Sequence, residues 1–148
     1  MFEHLLVPVD GSELSEKAIT TSIGMAKMLG ASITGFIVET PLPPVVVEPV
    51  AVAYYVETSQ EHQQQCEAHA REVLEAFARR AVEAGVTFDG QFMITDNIQQ
   101  AIVETAQRQE CDLIVMVSHG RHGLDALING SLTKSVLSHS KVPLLVLH

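Results

Sequence analysis

Apolar residues along the chain fall into two alternating patterns: short unbroken runs, and longer stretches in which every third or fourth position is apolar. An apolar run of about four to eight residues bounded by turn residues marks a buried strand, whereas a 3.6-residue period marks a helix lying on a core. Residues 5–9 read as a strand, and Asp10-Gly11-Ser12 as the turn and helix cap that follow it. Leu14, Ala18, Ser22, Met25 and Leu29 share one helical face, which Gly30 ends. Residues 31–38 form the next strand. Residues 39–58 are Pro- and Val-rich, a long connection beside the usual 2–6 or so residues of α/β units. Its apolar part, 41–56 with Tyr54-Tyr55, is expected to pack on a neighbour or to cover a ligand pocket. A Gln-rich helix start follows, with Cys66, Ala70, Val73, Leu74, Phe77 and Ala81 as its inward stripe up to Gly85.

Val86, Phe88, Gly90, Phe92 and Ile94 alternate as a strand, and Asp96 or Asn97 can cap a helix through Ile98, Ala101, Ile102 and Ala106. Residues 112–118 are nearly all apolar, as a strand covered on both faces must be. A Gly-punctuated loop, 120–130, leads into a helix over 131–140, and residues 142–147 close the pattern as a strand. Five strands thus alternate with four helices. That order predicts right-handed crossovers and a single-domain α/β fold: an open five-stranded parallel sheet with helices on both faces. The length of 148 residues suits one domain over 1–148, and no internal repeat is visible.

Composition narrows the function. With 9 Lys and Arg against 18 Asp and Glu, the formal net charge is −9, which excludes an extended nucleic-acid surface. The charge is uneven. From residue 113 onward Arg121, Lys134 and Lys141 accompany a single acid, Asp125, so the acidity lies in the first three quarters. The lightly charged stretch 40–56 contains Glu48 and four of the six prolines, so no membrane-spanning run is expected. The acidic start before a short apolar run does not fit a secretory leader. Cys66 and Cys111 stand in no metal or redox spacing. Buried free thiols in a reducing, cytoplasmic setting are the expectation.

In open parallel sheets a ligand binds beyond the carboxyl ends of the strands, where the strand order reverses. The turns after the first and fourth strands are therefore the candidate chemistry: VPVDGS, and SHG followed by nine residues and Gly130-Ser131. A helix amino end offers free amides and about half a positive charge, which suits phosphate. Each residue also has a plainer role. Asp10 is an ordinary turn-former and cap, and Gly120 and Gly123 permit positive φ. His119 and His122 form a solvated pair without a further ligand spaced to join them, and Arg121 is a loop charge. The chain contains no P-loop, no dinucleotide fingerprint and no nucleophile paired to a base.

The opening VPVDGS, the strand DLIVMVSHG, the loop GRHGLDALINGS and the closing KVPLLVLH together resemble the universal stress protein family over essentially the whole chain. The resemblance implies a Rossmann-like fold of the adenine-nucleotide α-hydrolase type. It also implies ATP, with Mg²⁺, as cofactor. Gly120 and Gly130-Ser131 match the glycines of the family's nucleotide-binding branch, and Val117 replaces the first glycine of that motif. Carried over, Pro8, Val9 and Asp10 would line the pocket, with Asp10 near the ribose or a nucleotide-bound Mg²⁺. Val38 would contact adenine. Gly120, Gly130, Ser131 and Leu132 would hold the phosphates, with His119 nearby, Arg121 as a clamp and Val117 against the ribose. The function implied is an ATP-binding regulator acting through a homodimer or a regulatory protein partner. The alternatives are a nucleotide-free interaction module of the same fold, which Val117 favours, and a slow ATP hydrolase. The apolar strand 142–147 is an edge liability that pairing across a two-fold axis would remove, and the resemblance implies that homodimer, with a higher oligomer open.

Overall fold

The computed structural model describes residues 1–46, 48–118 and 131–148. The chain runs β1 (His4–Pro8), α1 (Glu13–Leu29), β2 (Ser32–Glu39), a 3-10 turn (Pro49–Ala51), α2 (Val52–Glu83), β3 (Phe88–Ile94), α3 (Ile98–Arg108), β4 (Leu113–Val117), α4 (Ser131–His139) and β5 (Leu144–Leu147). All strand pairs are parallel, in the order β3-β2-β1-β4-β5. Leu5 stands between Ile33 of β2 and Leu113 of β4. Strand order therefore reverses between β1 and β4, as the alternating pattern predicts.

Successive strand residues point to opposite faces, so the apolar runs supply two cores. Leu5, Val7, Ile33, Ile37 and Val115 pack with Ala18 and Ala26 of α1 and with Ala70 and Phe77 of α2. Leu6, Phe36, Ile114 and Met116 pack with Ala101, Ile102 and Ala106 of α3 and with Val136 of α4. Cys66 and Cys111 are both buried and unbridged.

Three local expectations need correction. The buried face of α1 is Ser15, Ala18, Ile19, Ser22 and Ala26, while Leu14 and Leu29 are 41% and 39% exposed. Small residues let the helix sit close to the sheet, and the buried Ser22 hydroxyl is satisfied by donating to the Ile19 carbonyl at 3.0 Å. Helix α2 begins at Val52, so residues 52–58 are helical and not part of the connection. The reason is Pro49, which opens the 3-10 turn with its φ already set for helix and with no N–H to satisfy. On β3, Phe88 packs against the core but Gly90 is exposed and Phe92 is 45% exposed, because this strand is an edge.

Candidate functional site

The helices that follow β1 and β4 in the chain, α1 and α4, pack on opposite faces of the sheet, and a crevice opens at its carboxyl end between the two strands. A cavity of about 420 Å³ occupies it, within the range of small-molecule sites. Phe36 of β2 and Met116 of β4 form part of its wall from the sheet, with Val38 and Val117 at the ends of the same strands. Ile98 and Ile102 of α3 and Leu132 of α4 add apolar wall. The amino ends of α3 and α4, with Asn97 and Ser131, border the same space and bring partial positive charge to it.

Of the residues singled out in the sequence, Pro8, Val9, Asp10, Val38, Val117, Ser131 and Leu132 all line this cavity. His119, Gly120, Arg121 and Gly130 lie outside the described residues. The segment 41–56 contributes no described residue to the cavity wall. Sequence reasoning missed the wall supplied by α3, above all Asp96, Asn97, Ile98 and Gln99, and missed Ser135 of α4. The available signal was the Asp96-Asn97 turn at the carboxyl end of β3, which reaches the same edge of the sheet as the switch point. Ser135 Oγ donates to Gln99 Oε1 at 3.2 Å, joining α3 to α4 beside the apolar Ile98, Ile102 and Leu132.

Asp10 is fixed by local chemistry. Its Oδ1 accepts from the Ser12 amide at 3.0 Å and from Ser15 Oγ at 2.6 Å, while its own amide donates to Ser15 Oγ at 2.9 Å. Ser12 caps α1, accepting from the Ser15 amide at 3.3 Å. The turn-former role and the place on the cavity wall thus coincide in one carboxylate. Gly11 has φ +78°, and a Cβ there would stand 2.9 Å from His69 Nε2, so both backbone and space call for glycine. His69 in turn holds the buried Glu39 carboxylate through Nδ1, which ties α2 to the end of β2 beneath this turn.

At the far side, the Ser118 amide donates to the Leu147 carbonyl at 2.9 Å, and Ser118 Oγ lies 3.2 Å from His148 Nδ1. These bonds tie the end of β4 to the end of β5. Among the described residues no group of three or more His, Cys, Asp or Glu is placed to hold a metal ion. Burial raises the Cys111 thiol to about 11, with Asp112 adding to the rise and a hydrogen bond with Thr34 opposing it. That thiol stays protonated and inert near neutral pH.

Fold and site together define a doubly wound α/β domain with a cavity at its topological switch point. A profile of the universal stress protein family matches residues 1–148, and the chain belongs to that family. It is 27% identical over 146 residues to universal stress protein MJ0531 of Methanocaldococcus jannaschii, covering 99% of this chain and 82% of that one. It is 26% identical over 147 residues to universal stress protein YxiE of Bacillus subtilis, covering 99% of each. Among solved structures, protein MJ0577 superposes with a TM-score of 0.82 at 22% identity, covering 99% of this chain and 96% of that one. A universal stress protein in complex with cAMP superposes with a TM-score of 0.69 at 21% identity, over 99% of this chain and 97% of that one. The Archaeoglobus fulgidus protein in complex with dAMP reaches 0.63 at 15% identity, over 99% and 98%.

Proposed function

We propose that the chain is an adenine-nucleotide-binding regulator, with ATP and Mg²⁺ as the ligand taken up at the switch-point cavity. The observation that carries this reading is the convergence of Pro8, Val9, Asp10, Val38, Val117, Ser131 and Leu132 on one wall. Apolar surface from Val38, Ile98 and Ile102 suits the face of a purine, and the amino end of α4 suits a phosphate. Likeness to proteins in complex with cAMP and dAMP supports the adenosine part of the ligand. Gly120 and Gly130, with His119 and Arg121, complete the phosphate side in this reading. Asp10 faces the ribose or a nucleotide-bound Mg²⁺, and the metal would supply charge neutralisation to the phosphates. In this reading the protein acts in the cytoplasm through a homodimer or a regulatory partner, and ATP hydrolysis is slow at most. Asp10 has its Oδ1 engaged by Ser12 and Ser15, which makes it a poor general base.

Isothermal titration of the purified protein with Mg-ATP, AMP and GTP tests the reading. Saturable heat with both adenine nucleotides and a weaker response to GTP is the expected result. No saturation up to millimolar ligand would overturn it. Val117 on the cavity wall favours a second reading, in which the fold is a nucleotide-free interaction module. On that reading only Val117→Gly, not the native chain, gives saturable heat with Mg-ATP.

A further inference from the structure

Helix α2 is far longer than the sheet it covers. Its buried residues, Cys66, Ala70, Leu74, Phe77 and Ala81, begin only at Cys66, near the middle of the helix. The level of the sheet's carboxyl edge is marked by His69, which holds Glu39, the last residue of β2. The 17 residue steps from Val52 to His69 therefore carry the helix roughly 25 Å past that edge at about 1.5 Å per residue. None of Val52–Gln65 is buried.

The connection from β2 folds back on this projection and is clasped at two places. Tyr55 Oη donates to the Pro43 carbonyl at 3.2 Å, and His62 Nε2 donates to the Thr40 carbonyl at 2.9 Å. The resulting arm presents apolar side chains outward: Val45, Val46, Val50, Val52, Tyr54 and Val56 are all exposed, Val46 fully and Val50 by 91%. Glu48, Glu57 and Glu61 are exposed among them. No Lys or Arg occurs anywhere from residue 28 to residue 70.

An apolar surface whose charged side chains, among the described residues of the arm, are all carboxylates selects its partner by charge. A second copy would set the same carboxylates against each other. An anionic membrane would be repelled for the same reason. We propose that the arm is a docking surface for a protein segment that carries Lys or Arg beside an apolar face, a basic amphipathic segment. The two clasps hold the arm in its binding shape before the partner arrives, which lowers the ordering cost of association. The surface stands at the same end of the sheet as the cavity but on the α1–α2 face.

The probe is a fluorescent synthetic Leu/Lys peptide with apolar and basic residues segregated at helical spacing, titrated against the full chain without nucleotide. A scrambled isomer of equal charge is the control. Because no nucleotide is present, the outcome does not depend on the cavity's ligand. The triple substitution Val46→Ser, Val50→Ser, Tyr54→Ser is expected to weaken binding at least about tenfold, as loss of a central apolar anchor does. Glu57→Gln with Glu61→Gln weakens it about threefold or more and flattens its salt dependence. Met28→Ser with Val82→Ser, exposed apolar residues elsewhere, leaves it unchanged. Circular dichroism of each variant checks that the fold is intact. Equal binding of both peptides, or indifference to the triple substitution, refutes the proposal. So does self-association or vesicle binding that the triple substitution abolishes while peptide affinity stays the same.

Discussion

Asp10 and Ser15 form the smallest unit on which the cavity depends. Ser15 is buried, and its hydroxyl both donates to the Asp10 carboxylate and accepts from the Asp10 amide. Ser15→Ala removes two hydrogen bonds at once, the one to the Asp10 carboxylate and the one from the Asp10 amide, so a loss of about 1–3 kcal/mol is expected in urea unfolding. The measurement also separates the two roles of Asp10. If the turn matters only as a helix cap, Ser15→Ala lowers stability and leaves nucleotide titration heats unchanged. Cys111 gives a pH prediction. Its thiol is raised from 9.0 to about 11 in the folded chain, so the folded state holds the proton more tightly than the unfolded one. This contribution is complete below pH 9 and is lost as pH climbs through 11. The urea midpoint is therefore expected to fall across that window in the native chain, and to fall less in Cys111→Ala. A pH dependence identical in both proteins defeats this account.

At the scale of elements, the tightest joint is where β2 meets β3 and α2. Gly35 is buried in β2, and a Cβ there would stand 2.6 Å from Phe88 Cζ and 3.0 Å from Phe77 Cδ1. Those two rings lie 4.7 Å apart between centroids. Gly35→Ala must push the aromatic pair aside, and an overpacking cost of about 1–3 kcal/mol is expected in urea unfolding. Gly90, opposite Gly35 in register, has only ordinary contacts at 3.5 Å and beyond, so Gly90→Ala is expected to cost much less. Equal costs would falsify the packing argument. The strands were legible because each apolar run ends in turn residues. The inner stripe of α2 was legible because residues 66–81 repeat at helical spacing. Its first turns were not, since Val52, Ala53, Tyr54 and Val56 are apolar without being buried, and burial is what sequence periodicity reports. The site divides in the same way. Pro8, Val9, Asp10, Val38, Val117, Ser131 and Leu132 sit at strand ends or at a helix start, where the topology alone directs a ligand. Gln99 and Ser135 reach the wall only through the packing of α3 on α4, a long-range contact that no local spacing encodes.

For the whole molecule, the two sheet edges pose different problems. Edge strands with free backbone groups invite pairing unless something blocks them. At β3 the exposed Asp89 and the Gly90 that follows it discourage a neighbour. At β5 the sequence is LLVL with no charge, and each of its four residues is only half-buried. Leu144, Leu145 and Leu147 pack partly against the cores, but Val146 joins neither cluster. Val146 is thus an apolar residue at an edge with no further strand among the described residues, in the last quarter of the chain, where acids do not predominate. An acidic chain that self-associates should do so through that stretch, because elsewhere like charges would meet. Light scattering is expected to give twice the 16.1 kDa of one chain for the native protein. Val146→Glu would set two carboxylates together across a two-fold axis and is expected to halve that mass, with the urea midpoint at low protein concentration little changed. A native protein of single-chain mass, or a dimer that tolerates Val146→Glu, places the interface elsewhere or removes it.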